Sequence, residues 1–204
     1  PRVFASNCIL QRDAPCPVWG TDSPGTSITV SFASQTIHTR TGKDGRWRVT
    51  LAPMRVFSSP RQLTVRGSGT ITLTNILVGD VWLVSGQSNA DWPLKSATGG
   101  REAIASAKNR LVRYLQLAES PLTTSSDWNS NQLARLNPRD YFSGAWQEGD
   151  LTSAGEVSAI GYFFAYHIRT NLNVPVGLID CTVGGTPAIA WMPEQAINKN
   201  PKLK

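Results

Sequence analysis

The chain has 204 residues, of which 40% are hydrophobic and 17% charged, and a formal net charge of +6. That length can bury a core and hold one domain or two small ones. No apolar run approaches membrane-spanning length, which excludes a transmembrane helix. Lys and Arg stand singly rather than in a block or along one helix, so the basic balance argues for solubility and a weak attraction to acidic substrates rather than for nucleic acid.

The first elements alternate. From Cys16 to about Thr74, apolar and polar residues take turns: Ile28, Val30 and Phe32 on one side, Thr29 and Ser31 on the other. Trp47, Val49 and Leu51 resume the pattern after a turn at Gly42 to Gly45, as do Leu63 and Val65, then Ile71 and Leu73 after a turn at Gly67 to Gly69. Short half-buried antiparallel strands joined by Gly-rich turns predict a small β-sandwich over residues 1–75. Such a module suits packing or spacing, with sugar binding as a second possibility.

At Ile76 the pattern changes. Val81, Trp82, Leu83 and Val84 form an unbroken apolar run, the mark of a strand buried on both faces in a parallel sheet. Residues 102–110 read as a helix and 111–118 as a second strand, followed by an irregular stretch from about Glu119 to Gly155. Residues 158–172, apolar nearly all round, predict a buried helix. A third strand enters through Pro175 and leaves through Gly184 and Gly185. This order predicts a doubly wound α/β sheet over residues 76–204.

Open parallel sheets form their sites beyond the carboxyl ends of the strands. Ser88 follows the first such end and Gly184-Gly185-Thr186 the third. A hydroxyl nucleophile and glycine N–H groups that a ligand can approach closely would then share one rim, as acyl transfer requires. The sequence GQSNA is not a GxSxG elbow, because Ala90 stands where the second glycine belongs. There is no P-loop, no dinucleotide fingerprint and no Cys/His cluster, so no cofactor or metal is expected. The only histidines are His38, in an alternating strand, and His167, in the apolar helix, where a buried or half-buried structural role is expected. Neither is a good base for Ser88. Cys8, Cys16 and Cys181 make an odd count, and a Cys8–Cys16 bridge stays open.

The stretch GDVWLVSGQSNADWPL resembles the nucleophile block of sialate O-acetylesterases and related carbohydrate acetylesterases of the SGNH hydrolase superfamily. VPVGLIDCTVGGTPAIAWM resembles their second block, and ILQRDAPCPVWGTDSPGTSITVSF with DGRWRVTLAPM their N-terminal β module. The resemblance implies a jelly-roll-like sandwich ahead of a flavodoxin-like, SGNH-type domain, incomplete in this chain. It implies a serine esterase that removes O-acetyl groups from carbohydrates. Sialic acid esters are the first expected substrate and acetylated xylan or another plant glycan the second. A dead relative that binds carbohydrate is the other reading. Ser88 matches the nucleophile and, with its own N–H, an oxyanion donor. Gly184 or, by preference, Gly185 matches a second donor, while Gln87, Asn89 and Thr186 match residues that shape the site. Ala90 and Asp91 depart from the usual methionine and glutamate. The family's third oxyanion donor and its catalytic His and Asp have no match here. They are expected on a second chain carrying the C-terminal part of the domain, produced by a nick near Lys204. No membrane or nucleic-acid partner is expected, and the substrate class implies a secreted, periplasmic or lysosomal-type compartment.

Overall fold

The computed structural model describes residues 3–106, 109–119, 129–135, 137, 142–149 and 154–201. The strands are β1 (Ile9–Gln11), β2 (Cys16–Thr21), β3 (Ser27–Phe32), β4 (Gln35–Arg40), β5 (Arg46–Leu51), β6 (Phe57–Arg66) and β7 (Thr70–Gly86), then β8 (Asn109–Gln116), β9 (Ala118–Glu119), β10 (Phe142–Ser143), β11 (Trp146–Gly149) and β12 (Val176–Thr182). The α-helices are α1 (Gly100–Ser106), α2 (Ser130–Ala134), α3 (Ala159–Leu172) and α4 (Glu194–Lys199). No helix among the described residues is long and apolar enough to cross a membrane.

The alternation seen in the sequence sets the first half. In β3 and β5 every second residue is buried, with Ile28, Val30, Phe32, Trp47, Val49 and Leu51 inside. β2 and β5 form one antiparallel pair, and β4, β3, β6 and β7 run as neighbours in the large sheet. Side chains from both sheets share one apolar cluster. Each Val, Leu, Ile or Phe buried there contributes about 1.5–3 kcal/mol relative to exposure.

β7 joins the two halves without a break. Its first part pairs with β6, and residues Leu77 to Gly79 also pair with β1. Its last seven residues, Asp80 to Gly86, pair in parallel with β12. The expected boundary at residue 75 therefore falls inside a strand, at Asn75, whose φ of 57° is left-handed. A buried arginine pins that kink. Arg113, 2% exposed, donates from Nη1 to the carbonyls of Asn7 and Asn75 and from Nη2 to Asn75 Oδ1 at 2.9 Å.

Several expectations change in this half. The sheet runs β11-β8-β12-β7, so the third parallel strand lies between the first two. A flavodoxin-like order would seat the first strand in the middle. Nor do the described helices wind both faces. α3 and the partly buried Ala103 and Ile104 of α1 pack with Val112, Tyr114, Val176 and Leu178 on one face. Leu115 and Trp146 belong instead to the cluster of the β module, because the continuous β7 brings that module against the sheet. Trp82 and Leu83 are 44% and 66% exposed, since the outer edge of β7 beyond Gly79 has no strand beside it among the described residues. α3 buries Ala159, Gly161, Tyr162 and Ala165 but exposes Ile160, Phe164 and Tyr166, so among the described residues it is covered on one face only. The 102–110 helix is shorter than read: α1 ends at Ser106, and Asn109 already belongs to β8. Within 119–155 the described parts hold the short α2, the β9–β10 pair and β11, while the remainder lies outside the described residues.

Candidate active site

β7 and β12 end together. Thr182 lies opposite Gly86 in the register, and the Val183 N–H donates to the Gly86 carbonyl at 3.0 Å. Gly86 turns the chain at φ 136°, where a side chain is strained and a Cβ would sit 3.0 Å from that of Ala90. The Ala90 and Asp91 N–H groups then close back on the Gln87 carbonyl at 2.7 and 3.1 Å, leaving Ser88 exposed at the tip. One acceptor serves both groups of that serine. Gln87 Oε1 accepts hydrogen bonds from the Ser88 hydroxyl at 2.5 Å and from the Ser88 N–H at 2.9 Å. The Ser88 N–H is therefore already paired, with an oxygen at a distance within the roughly 2.7–3.1 Å typical of a hydrogen-bond donor of this kind. Asn89 lines an adjacent open cleft of about 540 Å³ with Trp92, Thr98, Ile160 and Phe163.

The second rim segment is built by three polar residues. Asp180, 1% exposed, accepts the Ser158 N–H at 2.9 Å and the Thr182 N–H at 3.3 Å. These bonds offset the cost of burying a carboxylate and tie the start of α3, capped by the Ser158 hydroxyl, to the end of β12. The Thr182 hydroxyl donates to Asp180 Oδ1 at 2.7 Å, and Asp91 Oδ1 lies 3.1 Å from Thr182 Oγ1. Asp91 Oδ2 accepts the Gly184 N–H at 2.9 Å. The turn continues through Gly185 at φ 75°, a conformation that favours glycine, and Thr186 closes it by donating to the Val183 carbonyl at 2.8 Å. The Trp191 indole N–H donates in turn to Thr186 Oγ1 at 2.9 Å.

The fold therefore brings Gln87, Ser88 and Asn89 to one rim with Gly184, Gly185 and Thr186. It does not bring either histidine there. His38 is exposed on β4 with Nδ1 3.0 Å from Thr29 Oγ1, and His167 is on the open face of α3, not in the buried or half-buried setting expected. Cys8, Cys16 and Cys181 are free thiols, and burial pushes Cys8 up from an ordinary 9.0 to about 11. Among the described residues no group of three or more His, Cys, Asp or Glu side chains is placed to hold a metal ion. In the sequence Asp91 stands out only as a departure from the resembled family, and Asp180 and Thr182 do not stand out at all. The available signal was two polar residues at alternate positions near the end of an apolar strand.

Similarity to known proteins extends over most of the chain. The human sialate O-acetylesterase is 29% identical over 203 aligned positions, covering 91% of this chain and 37% of that protein. The rat sialate O-acetylesterase is 27% identical over 206 positions, covering 93% and 36%. The crystal structure of a carbohydrate acetylesterase from Xanthomonas citri superposes with a TM-score of 0.83 at 34% identity, over all of this chain and 44% of that one. The chain is a homologue of the sialate O-acetylesterases. No protein-family model matches it. This sialate O-acetylesterase homologue spans little more than a third of the length of those mammalian relatives.

Proposed function

We propose that the chain is the nucleophile-bearing part of a serine esterase that removes O-acetyl groups from carbohydrates, with an SGNH-type catalytic domain behind a small β-sandwich. The shared register of β7 and β12, which sets Ser88 and the Gly184–Gly185 turn at one rim, carries the reading. The names of the similar proteins support the reaction class and favour an O-acetylated sialic acid; an acetylated plant glycan is the runner-up substrate.

In the reaction, Gln87 swings away and Ser88 Oγ attacks the acetyl carbonyl carbon. Its proton passes to a histidine supplied from outside this chain. The oxyanion is held by the Ser88 N–H and a glycine N–H of the turn. Collapse breaks the ester C–O bond, the histidine protonates the departing sugar oxygen, and water then hydrolyses the acetyl-serine. The β7 edge, with no strand beside it beyond Gly79 among the described residues, and the exposed Trp82 and Leu83 support docking of the remaining catalytic part there, whether as continuing chain or as a second polypeptide. Acetylated glycan substrates favour a secreted, periplasmic or lysosomal-type compartment. One observation favours an inactive, sugar-binding relative: Ser88 donates to Gln87 rather than to a base.

Covalent labelling decides between them. An organophosphonate should add to Ser88 of the intact protein and stop acetate release from an O-acetylated sugar. Ser88→Ala should take no label and lose turnover by orders of magnitude while its circular dichroism is unchanged. A wild-type protein that takes no label and releases no acetate is the binding relative instead.

A further inference from the structure

Gly184 and Gly185 are not equivalent as oxyanion donors, and the difference originates 93 residues upstream. A backbone N–H has one proton. That of Gly184 is directed at Asp91 Oδ2 at 2.9 Å, so an oxyanion claiming it would have to displace a carboxylate and approach a like charge. The Gly185 N–H donates to no acceptor among the described residues. Asp91 reaches Gly184 because the serine loop folds back on Gln87, and its other oxygen lies 3.1 Å from the Thr182 hydroxyl that Asp180 holds. The carboxylate is therefore a strut between the serine loop and the glycine turn. A Cβ on Gly184 would come to 2.8 Å from Asp91 Oδ2, whereas one on Gly185 would meet nothing within 4 Å.

Resting on the esterase reading above, we infer that Asp91 is a positioning residue: it occupies the Gly184 N–H, sets the turn against the serine loop, and leaves the Gly185 N–H as the glycine donor to the oxyanion. Its contribution appears when charge develops on the carbonyl oxygen, so it acts on kcat rather than on substrate binding.

The test compares wild type, Asp91→Ala and Asp91→Glu in the intact protein, reading the Gly184 and Gly185 amide protons by NMR and the kinetics on an O-acetylated sugar. In Asp91→Ala the Gly184 amide should lose its hydrogen-exchange protection, and kcat should fall by about tenfold or more, approaching the ~10²–10³ of a lost donor, with KM within about twofold. Asp91→Glu, which keeps the carboxylate, should restore both readouts in large part. Unchanged Gly184 protection in Asp91→Ala overturns the inference, as does lost protection with unchanged kcat, or a loss borne by KM alone. A wild type with no hydrolysis sinks the esterase reading and the catalytic role of Asp91 with it, while the amide readout still decides whether Asp91 holds Gly184.

Discussion

Cys8 shows how a single buried residue ties stability to pH. It is 1% exposed, and burial disfavours its thiolate, placing its pKa about two above the ordinary 9.0. As pH rises past 9 the unfolded chain ionises this thiol first. The folded-state advantage is therefore complete below pH 9 and is lost as pH climbs through about 11. The urea midpoint of the wild type is expected to drop between those values more steeply than that of Cys8→Ala. Equal slopes for the two proteins would show that Cys8 is not the group responsible. For the same reason Cys8 should resist alkylation at pH 8 in the folded protein and react once urea unfolds it. Asp180 makes a complementary point. A carboxylate almost without solvent survives at the end of β12 because two N–H groups and a hydroxyl face it, so its value lies in where it holds α3 and the glycine turn.

At the level of elements, the contact between β7 and β12 matters most, because it sets both rim segments. That contact is tight at its start. A Cβ on Gly79 would fall 2.0 Å from the Pro175 carbonyl oxygen, whose acceptor role toward the Asp80 N–H opens the ladder. Backbone cannot move aside there without shifting a strand. Gly79→Ala is expected to destabilise the fold by roughly 1–3 kcal/mol, as overpacking does, and to lower activity alongside stability. A thermal melt unchanged from wild type would mean that the two strands have slack at this point. Ser88 follows the far end of the same strand, so this variant tests whether the register is what brings the serine to the turn.

The whole molecule is held together across its two halves by the cross-links at Asn75. Arg113 of β8 reaches the N-terminal segment and the kink of β7 at once, with Glu148 of β11 3.6 Å away. Arg113→Met would strip the part-buried Asn7 and Asn75 carbonyls, Asn75 Oδ1 and the Glu148 carboxylate of a charged partner. A loss of roughly 1–3 kcal/mol is expected, the cost of leaving hydrogen-bonding groups without a partner, read from denaturant unfolding. A loss below about 1 kcal/mol would return the site to the level of an exposed ion pair. The open edge of β7 makes a different prediction. The isolated 204-residue chain should bind a hydrophobic dye through Trp82, Leu83 and Ile160 and should release no acetate. Addition of the remaining catalytic part should suppress the dye and restore acetate release together. Acetate release by the isolated chain would place a base within it.

The local pattern determined what depends on neighbours along the chain. A period of two showed which residues of β3 and β5 are buried, because alternate side chains of a strand face opposite ways. Glycines at 86, 184 and 185 marked where strands end, and with them the candidate nucleophile and donors. Periodicity does not say which strand lies beside which, so the β8-β12-β7 order and the packing of the β module against the sheet came only from the folded chain. The apolar runs 81–84 and 158–172 read as fully buried because an apolar face looks the same whether or not anything covers it, and here one side of each is open. The pairing of Asp91 with Gly184 was equally out of reach. It is a hydrogen bond between residues 93 apart, set by two strand ends meeting, and no local spacing encodes it.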